Sequence, residues 1–233
     1  MYKKLFISVC GTSKNKKEMQ STVNSIKKQT MLPDEIIITK GKNISKGRNS
    51  YLLKARGDVI MSIDSDCQYE PEYISKMIKC LKKNDIVMSK VIAQPPKKLI
   101  QLFCSMRMPQ YQYFTEKNWS QFLPSNRQVM FKRSVIKKLG LLPEYLYRSD
   151  DTYWFGLARK KGLKFTHCDA IVYWKTKKSL KAYLKTVYQD NRCDKKFKIK
   201  GFQAPQKMSP MIFPYGLFVS ALAMITKFWA KLF

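Results

Sequence analysis

Acidic residues are scarce in this chain of 233 residues: Asp and Glu number 16 against 45 Lys and Arg, a formal net charge of +29. Histidine occurs once, as His167, and glycine only 9 times. The six cysteines (Cys10, Cys67, Cys80, Cys104, Cys168 and Cys193) include no Cys-x-x-Cys pair and no metal-ligand spacing. Free thiols in a reducing compartment are therefore expected, rather than a disulfide scaffold or a zinc knuckle. No internal repeat and no low-complexity linker interrupts the chain, and its composition excludes a collagen-like or tail-like polymer.

What is present is a core. Hydrophobic residues make up 45% and aromatics 13%, too apolar for the charge to mean disorder. The length is near the upper end for one compact domain. The excess of positive charge points to a negatively charged partner: nucleic acid, an anionic membrane surface or a phosphorylated small molecule. Many lysines sit in pairs near expected helix ends, where they suit the helix dipole and solubility. Leu5 to Cys10 follows Lys3-Lys4 but is too short for a signal-peptide core, and it reads as a first buried strand.

Strand and helix signals alternate from there. Leu5–Val9 is expected to be a strand, Gly11 to Asn15 a polar loop, and Lys16–Gln29 a helix with Met19, Val23 and Ile26 on one face. Glu35–Thr39 and Val59–Ile63 are β-branched runs of the kind buried in parallel sheets. Lys46–Ala55 reads as a short helix between them, and Pro71 opens another carrying Ile74, Met77, Ile78 and Leu81. Ile86–Val91, Val129–Phe131 and Ile171–Tyr173 are further strand candidates, and Ser134–Leu139 is a short helix. Ser149 is placed to cap a helix over Asp150–Lys161, and a last helix follows Ser179. The stretch Gln94 to Leu123 shows no clear periodicity. This alternation predicts an α/β sheet with crossover helices.

Ligands of open α/β sheets bind beyond the carboxyl ends of the strands. Asp64-Ser65-Asp66 sits at such an end, directly after Val-Ile-Met-Ser-Ile. Two carboxylates one residue apart can share a hard divalent cation with phosphate oxygens, or can simply stabilise a turn. Asp150 and Asp151 begin a helix, where carboxylates favour the dipole whether or not they do chemistry.

The flanking sequence adds to this. Asn43-Ile-Ser-Lys-Gly-Arg-Asn-Ser, followed by Ala55-Arg-Gly-Asp-Val-Ile-Met-Ser-Ile-Asp-Ser-Asp-Cys, resembles the donor-binding half of the inverting family 2 glycosyltransferases of GT-A fold. Phe131-Lys-Arg-Ser-Val-Ile-Lys-Lys-Leu-Gly-Leu-Leu-Pro-Glu and Arg148-Ser-Asp-Asp-Thr resemble the acceptor half with its acidic pair. The likeness runs over roughly residues 4–190. It implies a GT-A-like mixed sheet, Rossmann-like in its nucleotide-binding part and flanked by helices, and transfer of a sugar from a nucleotide-sugar donor. On the same resemblance Asp66 binds Mn²⁺ or Mg²⁺, Asp64 contacts the ribose or the metal's waters, and Arg48 reaches the base. Thr12 packs on the nucleotide, and Asp151 is the catalytic base. Two positions depart from the pattern. Lys40 falls close to where relatives carry an Asp that holds base or ribose, and Trp174 stands where many carry a metal-binding His.

The C-terminal part has its own signature. Residues 193–207 form a basic linker, and 208–226 carry no charge, with Pro210, Pro214 and Gly216 early in the run. Lys227 and Lys231 then recur beside Phe228, Trp229, Leu232 and Phe233, a pattern that suits a helix lying in a membrane interface. The expected organisation is a transferase domain over 1–192, the linker, and a membrane-associating segment over 208–233. The expected setting is the cytoplasmic face of a membrane, with a glycan or lipid-linked acceptor. The alternatives are a basic nucleic-acid-binding protein, against which no recognised nucleic-acid motif is found, and a catalytically degenerate relative that only binds.

Overall fold

Crossover helices expected from the alternating pattern do join parallel strands in the computed structural model. It describes residues 5–13, 16–40, 43–106, 123–176, 179–197, 218 and 221–227. In chain order these form β1 (Ile7–Thr12), α1 (Lys16–Lys27), β2 (Glu35–Thr39), α2 (Ile44–Lys54), β3 (Val59–Ile63), β4 (Cys67–Tyr69) and α3 (Tyr73–Leu81). There follow β5 (Ile86–Ala93), α4 (Leu99–Met106), β6 (Val129–Lys132), α5 (Ser134–Leu139), α6 (Asp150–Lys160), β7 (Phe165–Trp174) and α7 (Leu180–Phe197). The strands make one seven-stranded mixed sheet in the order β2-β1-β3-β6-β5-β7-β4. β2, β1 and β3 are parallel, β6 runs against both β3 and β5, β7 is parallel to β5, and β4 is antiparallel to β7.

Side chains alternate across a strand, so a sheet covered on both sides is apolar on both. Val9, Met61 and Ile63 face a core with Met19 and Ile26 of α1 and Ile74, Met77 and Leu81 of α3. Cys10, Ile60 and Phe131 face the opposite one with Tyr51 and Leu52 of α2 and Trp154 and Phe155 of α6. Phe131, Trp154 and Phe155 stack edge to face, with centroids 5.3 Å apart for Phe131–Trp154 and for Trp154–Phe155.

Several boundaries differ from the sequence reading. β1 continues through Gly11 and Thr12, because both neighbouring strands extend far enough to pair with it, Thr12 lying opposite Thr39. β4 and α4 were not expected. β7 is one strand of 10 residues enclosing His167, with an irregular register between Ser89 and Lys90 of its partner β5. Ser149 makes no side-chain cap; it takes a left-handed conformation, φ 55°, which turns the chain into α6. α7 is instead capped by Ser179, whose Oγ accepts from Ala182 N at 3.2 Å. That helix runs to Phe197, so the basic stretch starting at residue 193 begins inside it. Most of the C-terminal segment, including residues 201–217 and 228–233, and the aromatic stretch 107–122 lie outside the described residues, while 221–227 are helical. Among the described residues no helix is long and apolar enough to cross a membrane.

Candidate active site

Three strand ends define the site. In the parallel pairing of β1 with β3, Gly11 lies opposite Ile63, so the next residues, Thr12 and Asp64, end adjacent strands side by side. Thr12 Oγ1 donates to Thr39 O at the end of β2, 3.2 Å away. α2 crosses close beneath: a Cβ on Gly47 would stand 2.2 Å from Thr12 Oγ1, and Thr39 Oγ1 donates to Gly47 O at 2.6 Å. Glycine is needed there for close approach rather than for an unusual φ.

The turn carrying Asp64 and Asp66 is tacked down from both sides. Thr22 Oγ1 of α1 donates to Cys67 O at 2.7 Å, and Lys175 N donates to Asp66 O at 2.8 Å. Pairing of β4 with β7 sets Cys67 opposite Trp174. The indole Nε1 then donates to Asp66 Oδ2 at 3.0 Å. Arg127, just before β6, lays its guanidinium over the Trp174 ring, 4.6 Å from the centroid, and its Nε lies 3.7 Å from Asp64 Oδ2.

Arg48 of α2 is the cationic centre of the site. It is 3% exposed and forms a close ion pair with Asp150 Oδ2, itself 2% exposed, while its Nη2 lies 3.4 Å from Asp64 Oδ1. With the Asn126 amide turned so that its nitrogen donates to Ser62 Oγ, its oxygen accepts from Arg48 Nη1 at 2.9 Å. Burial opposes the Arg48 charge, but Asp150 and Asp64 outweigh it and hold the guanidinium protonated beyond its usual range. Burial also pushes the Asp64 and Asp150 carboxyls upward, against the pull of Arg48 on each. Asp151, half-buried, lies near enough to bear electrostatically on Arg48, Asp64 and Asp150, and its Oδ1 accepts from Thr152 N at 2.9 Å.

α2 is stitched to the chain before α6 along its whole length. Asn43 Nδ2 donates to Glu144 O at 2.8 Å and Ser45 Oγ to Leu146 O at 2.5 Å. The Asn49 side chain donates to Leu142 O at 2.8 Å and accepts from Leu142 N at 2.9 Å. This seam brings the acidic start of α6 to the strand ends, uniting the halves that carry Asp64 and Asp151.

A family model described as "Glycosyl transferase family 2" matches residues 39–140, which include the Asp64-Ser65-Asp66 turn, α2 and Arg127. Over that part the chain is similar to family 2 glycosyltransferases. Its fold matches solved structures at low identity. A mannosyltransferase from Pyrobaculum calidifontis, in complex with GDP-Man and Mn2+, is matched over 99% of this chain and 73% of its own, at 11% identity and TM-score 0.58. S. aureus TarS 1-349, in complex with UDP, is matched over 79% of this chain and 64% of its own, at 15% identity and TM-score 0.52. A longer TarS structure gives 13% identity and TM-score 0.51 over 96% of this chain, which spans only 43% of that protein. No curated protein sequence matches the chain. These likenesses support a GT-A-like fold for the chain.

Of the residues named from the sequence, Thr12, Asp64 and Asp66 lie at the strand ends, and Asp151 is close enough to Asp64 to act on it electrostatically. Arg48 lies beneath that surface, between Asp64 and Asp150. Lys40 is exposed at the end of β2. Arg127 and Asn126 were missed, because they follow a stretch without periodicity. Their only signal was the polar run Ser125-Asn126-Arg127-Gln128 immediately before a strand.

Two carboxylates make an all-oxygen donor set suited to Mg²⁺ or Mn²⁺. Among the described residues no group of three or more His, Cys, Asp or Glu is placed to hold a metal ion. Such a cation therefore fits here only when donor phosphates and water complete its shell, which is the usual way Mg²⁺ is held.

Proposed function

We propose that the chain is an inverting glycosyltransferase. It moves one sugar from a nucleotide-diphosphate donor to a hydroxyl or phosphate of a glycan or lipid-linked acceptor at the cytoplasmic face of a membrane. The observation that carries this reading is the meeting of Asp64, at the strand ends beside Thr12 and Asp66, with Asp150 and Asp151, far from it in sequence, around Arg48, the one buried cation among the described residues. The nucleotide lies on the ends of β1 and β3 against Thr12, with Asp64 toward the ribose. Asp66 and Asp64 would hold Mn²⁺ or Mg²⁺ together with the diphosphate, and the cation when bound neutralises charge on the leaving group. Arg48 organises this edge from below by fixing Asp64 and Asp150. Asp151 takes the proton of an acceptor hydroxyl, whose oxygen attacks the anomeric carbon opposite the departing diphosphate, so the configuration inverts. The +29 charge and the 208–233 segment support work on an anionic lipid surface.

The test is a thermal-shift panel of UDP, GDP, CMP and their sugars, with and without Mn²⁺, on wild type and Asp66→Ala. A ligand at a hundred times its Kd adds about 2.7 kcal/mol. At this chain length that is a rise in Tm of about 5–10 °C. A metal-dependent shift with one nucleotide, lost in Asp66→Ala, is expected; no shift with any nucleotide refutes the donor site. Asp151→Asn keeps the nucleotide shift and abolishes transfer, and wild-type turnover in that variant removes the base. Deleting residues 208–233 releases the protein from anionic vesicles, and unchanged sedimentation removes the membrane role.

A further inference from the structure

Beside the start of α6 lies a cavity of about 400 Å³ lined by Tyr147, Lys185, Tyr188, Gln189, Arg192 and Lys196. Five of the six come from α7 at positions i, i+3, i+4, i+7 and i+11, so they form one stripe of that helix. Three of them are cations, and among the described residues the lining holds no carboxylate. The nearby Asp190 is committed elsewhere, to Arg148 Nε at 2.6 Å. Arg192 Nη1 donates to Tyr188 Oη at 3.5 Å, which places guanidinium and phenol at the same wall.

The cavity is rigidly referred to the proposed base. Leu146 and Cys193 are fully buried together, with Tyr147 and Tyr153 of α6 packed against them. Cys193 Sγ donates to Arg148 O at 3.1 Å. Only four residues of chain lead from Tyr147 to Asp151, a reach of at most about 14 Å. Phosphate oxygens are the ligand that a guanidinium, ammonium groups and phenol hydroxyls on one wall would take, by charge-assisted hydrogen bonds. The volume exceeds what a phosphate fills and leaves room for the sugar, polyol or isoprenoid unit attached to it.

We propose that this cavity binds a phosphate group of the acceptor, and so sets the acceptor's reacting oxygen beside Asp151. The assignment rests on the transferase reading above and names the chemical class of its acceptor. The phosphate belongs either to a soluble phosphorylated glycan or polyol, or to a lipid headgroup.

The experiment uses the full chain as wild type, Lys185→Gln/Arg192→Gln and Asp66→Ala, titrated with inorganic phosphate by calorimetry. Wild type and Asp66→Ala are expected to bind phosphate alike, and the double variant at least tenfold more weakly with an unchanged far-UV circular dichroism spectrum. Co-sedimentation then compares phosphatidylcholine vesicles doped with phosphatidic acid or, at equal surface charge, with phosphatidylglycerol. A preference for phosphatidic acid that the double variant loses assigns the phosphate to a lipid. Phosphate binding without that preference assigns it to a soluble acceptor. Equal phosphate affinity in wild type and double variant, or no phosphate binding by wild type, overturns the proposal. Failure of the donor reading would show separately, as phosphate binding that survives while no nucleotide shifts the melting of any variant.

Discussion

Replacing Arg48 tests whether the buried cation holds the site together. In Arg48→Met, Asp150 stays 2% exposed with its close ion pair gone, and Asp64 loses a guanidinium 3.4 Å away. Removing one partner of a buried pair costs about 3–5 kcal/mol, because the other charge is left uncompensated. For a chain of this size that lowers Tm by roughly 6–20 °C. Asp150→Leu costs a similar amount, since Arg48 then keeps only the longer contact to Asp64 and the Asn126 amide. The double variant Arg48→Met/Asp150→Leu removes both charges and fills the space with apolar groups, so it is expected to be no less stable than either single variant. Urea denaturation of the four proteins at neutral pH closes the cycle. Single-variant losses below 1 kcal/mol, or losses that simply add in the double variant, would refute the argument that a desolvated, coupled pair sits here.

Three other outcomes are expected. Gly47→Ala sets a methyl 2.2 Å from Thr12 Oγ1 and costs about 1–3 kcal/mol despite the better helix propensity of Ala, and adding Thr12→Ala restores part of the loss in a thermal melt. Trp174→Phe keeps a ring under Arg127 but deletes the N–H bond to Asp66, worth about 1.5–3 kcal/mol for a charged acceptor. Mn²⁺-dependent nucleotide affinity should fall about tenfold or more by calorimetry, and an unchanged Kd would show that the indole does not orient the carboxylate. Glu35 governs acid stability: burial opposes its charge, but hydrogen bonds from Arg56 N at 2.7 Å and Ser8 Oγ at 2.6 Å hold its carboxyl below the usual range. Its contribution is complete above the unfolded-state pKa and disappears as pH falls through the lower folded value. Glu35→Gln should therefore cost about 1 kcal/mol at neutral pH and nothing at the acid end of a pH series of melts.

The elements legible in the sequence were those whose signal is local. β2 and β3 match their β-branched runs residue for residue, and α5 matches Ser134–Leu139. β4 was invisible because three residues, Cys67-Gln68-Tyr69, carry no pattern and are a strand only by pairing with β7. The same reason hid the role of Trp174: as a sequence departure it lacked a metal ligand's chemistry, while in the fold its N–H meets Asp66. Ser149 looked like a helix cap by residue type, but its positive φ points the chain elsewhere. Asp64, Asp66 and Asp151 could be picked out by motif, whereas the buried ion pair that brings them together spans a sequence distance no local pattern reports.

The seam between α2 and the chain ahead of α6 has a consequence for how the protein is made. Its hydrogen bonds join residues separated by 93 to 102 positions. At ribosomal speeds of about 5–20 residues per second, α2 leaves the tunnel roughly 5–20 s before the partners of Asn43, Ser45, Arg48 and Asn49 have been synthesised. During that interval β1, β2 and β3 already possess one another's backbone partners, while Asn43, Ser45 and Asn49 still lack the groups at 142–146 that they bond in the fold. The strand-end edge with Asp64 and the acid pair are therefore products of different moments of translation, and the nascent chain acquires both together only when α6 arrives.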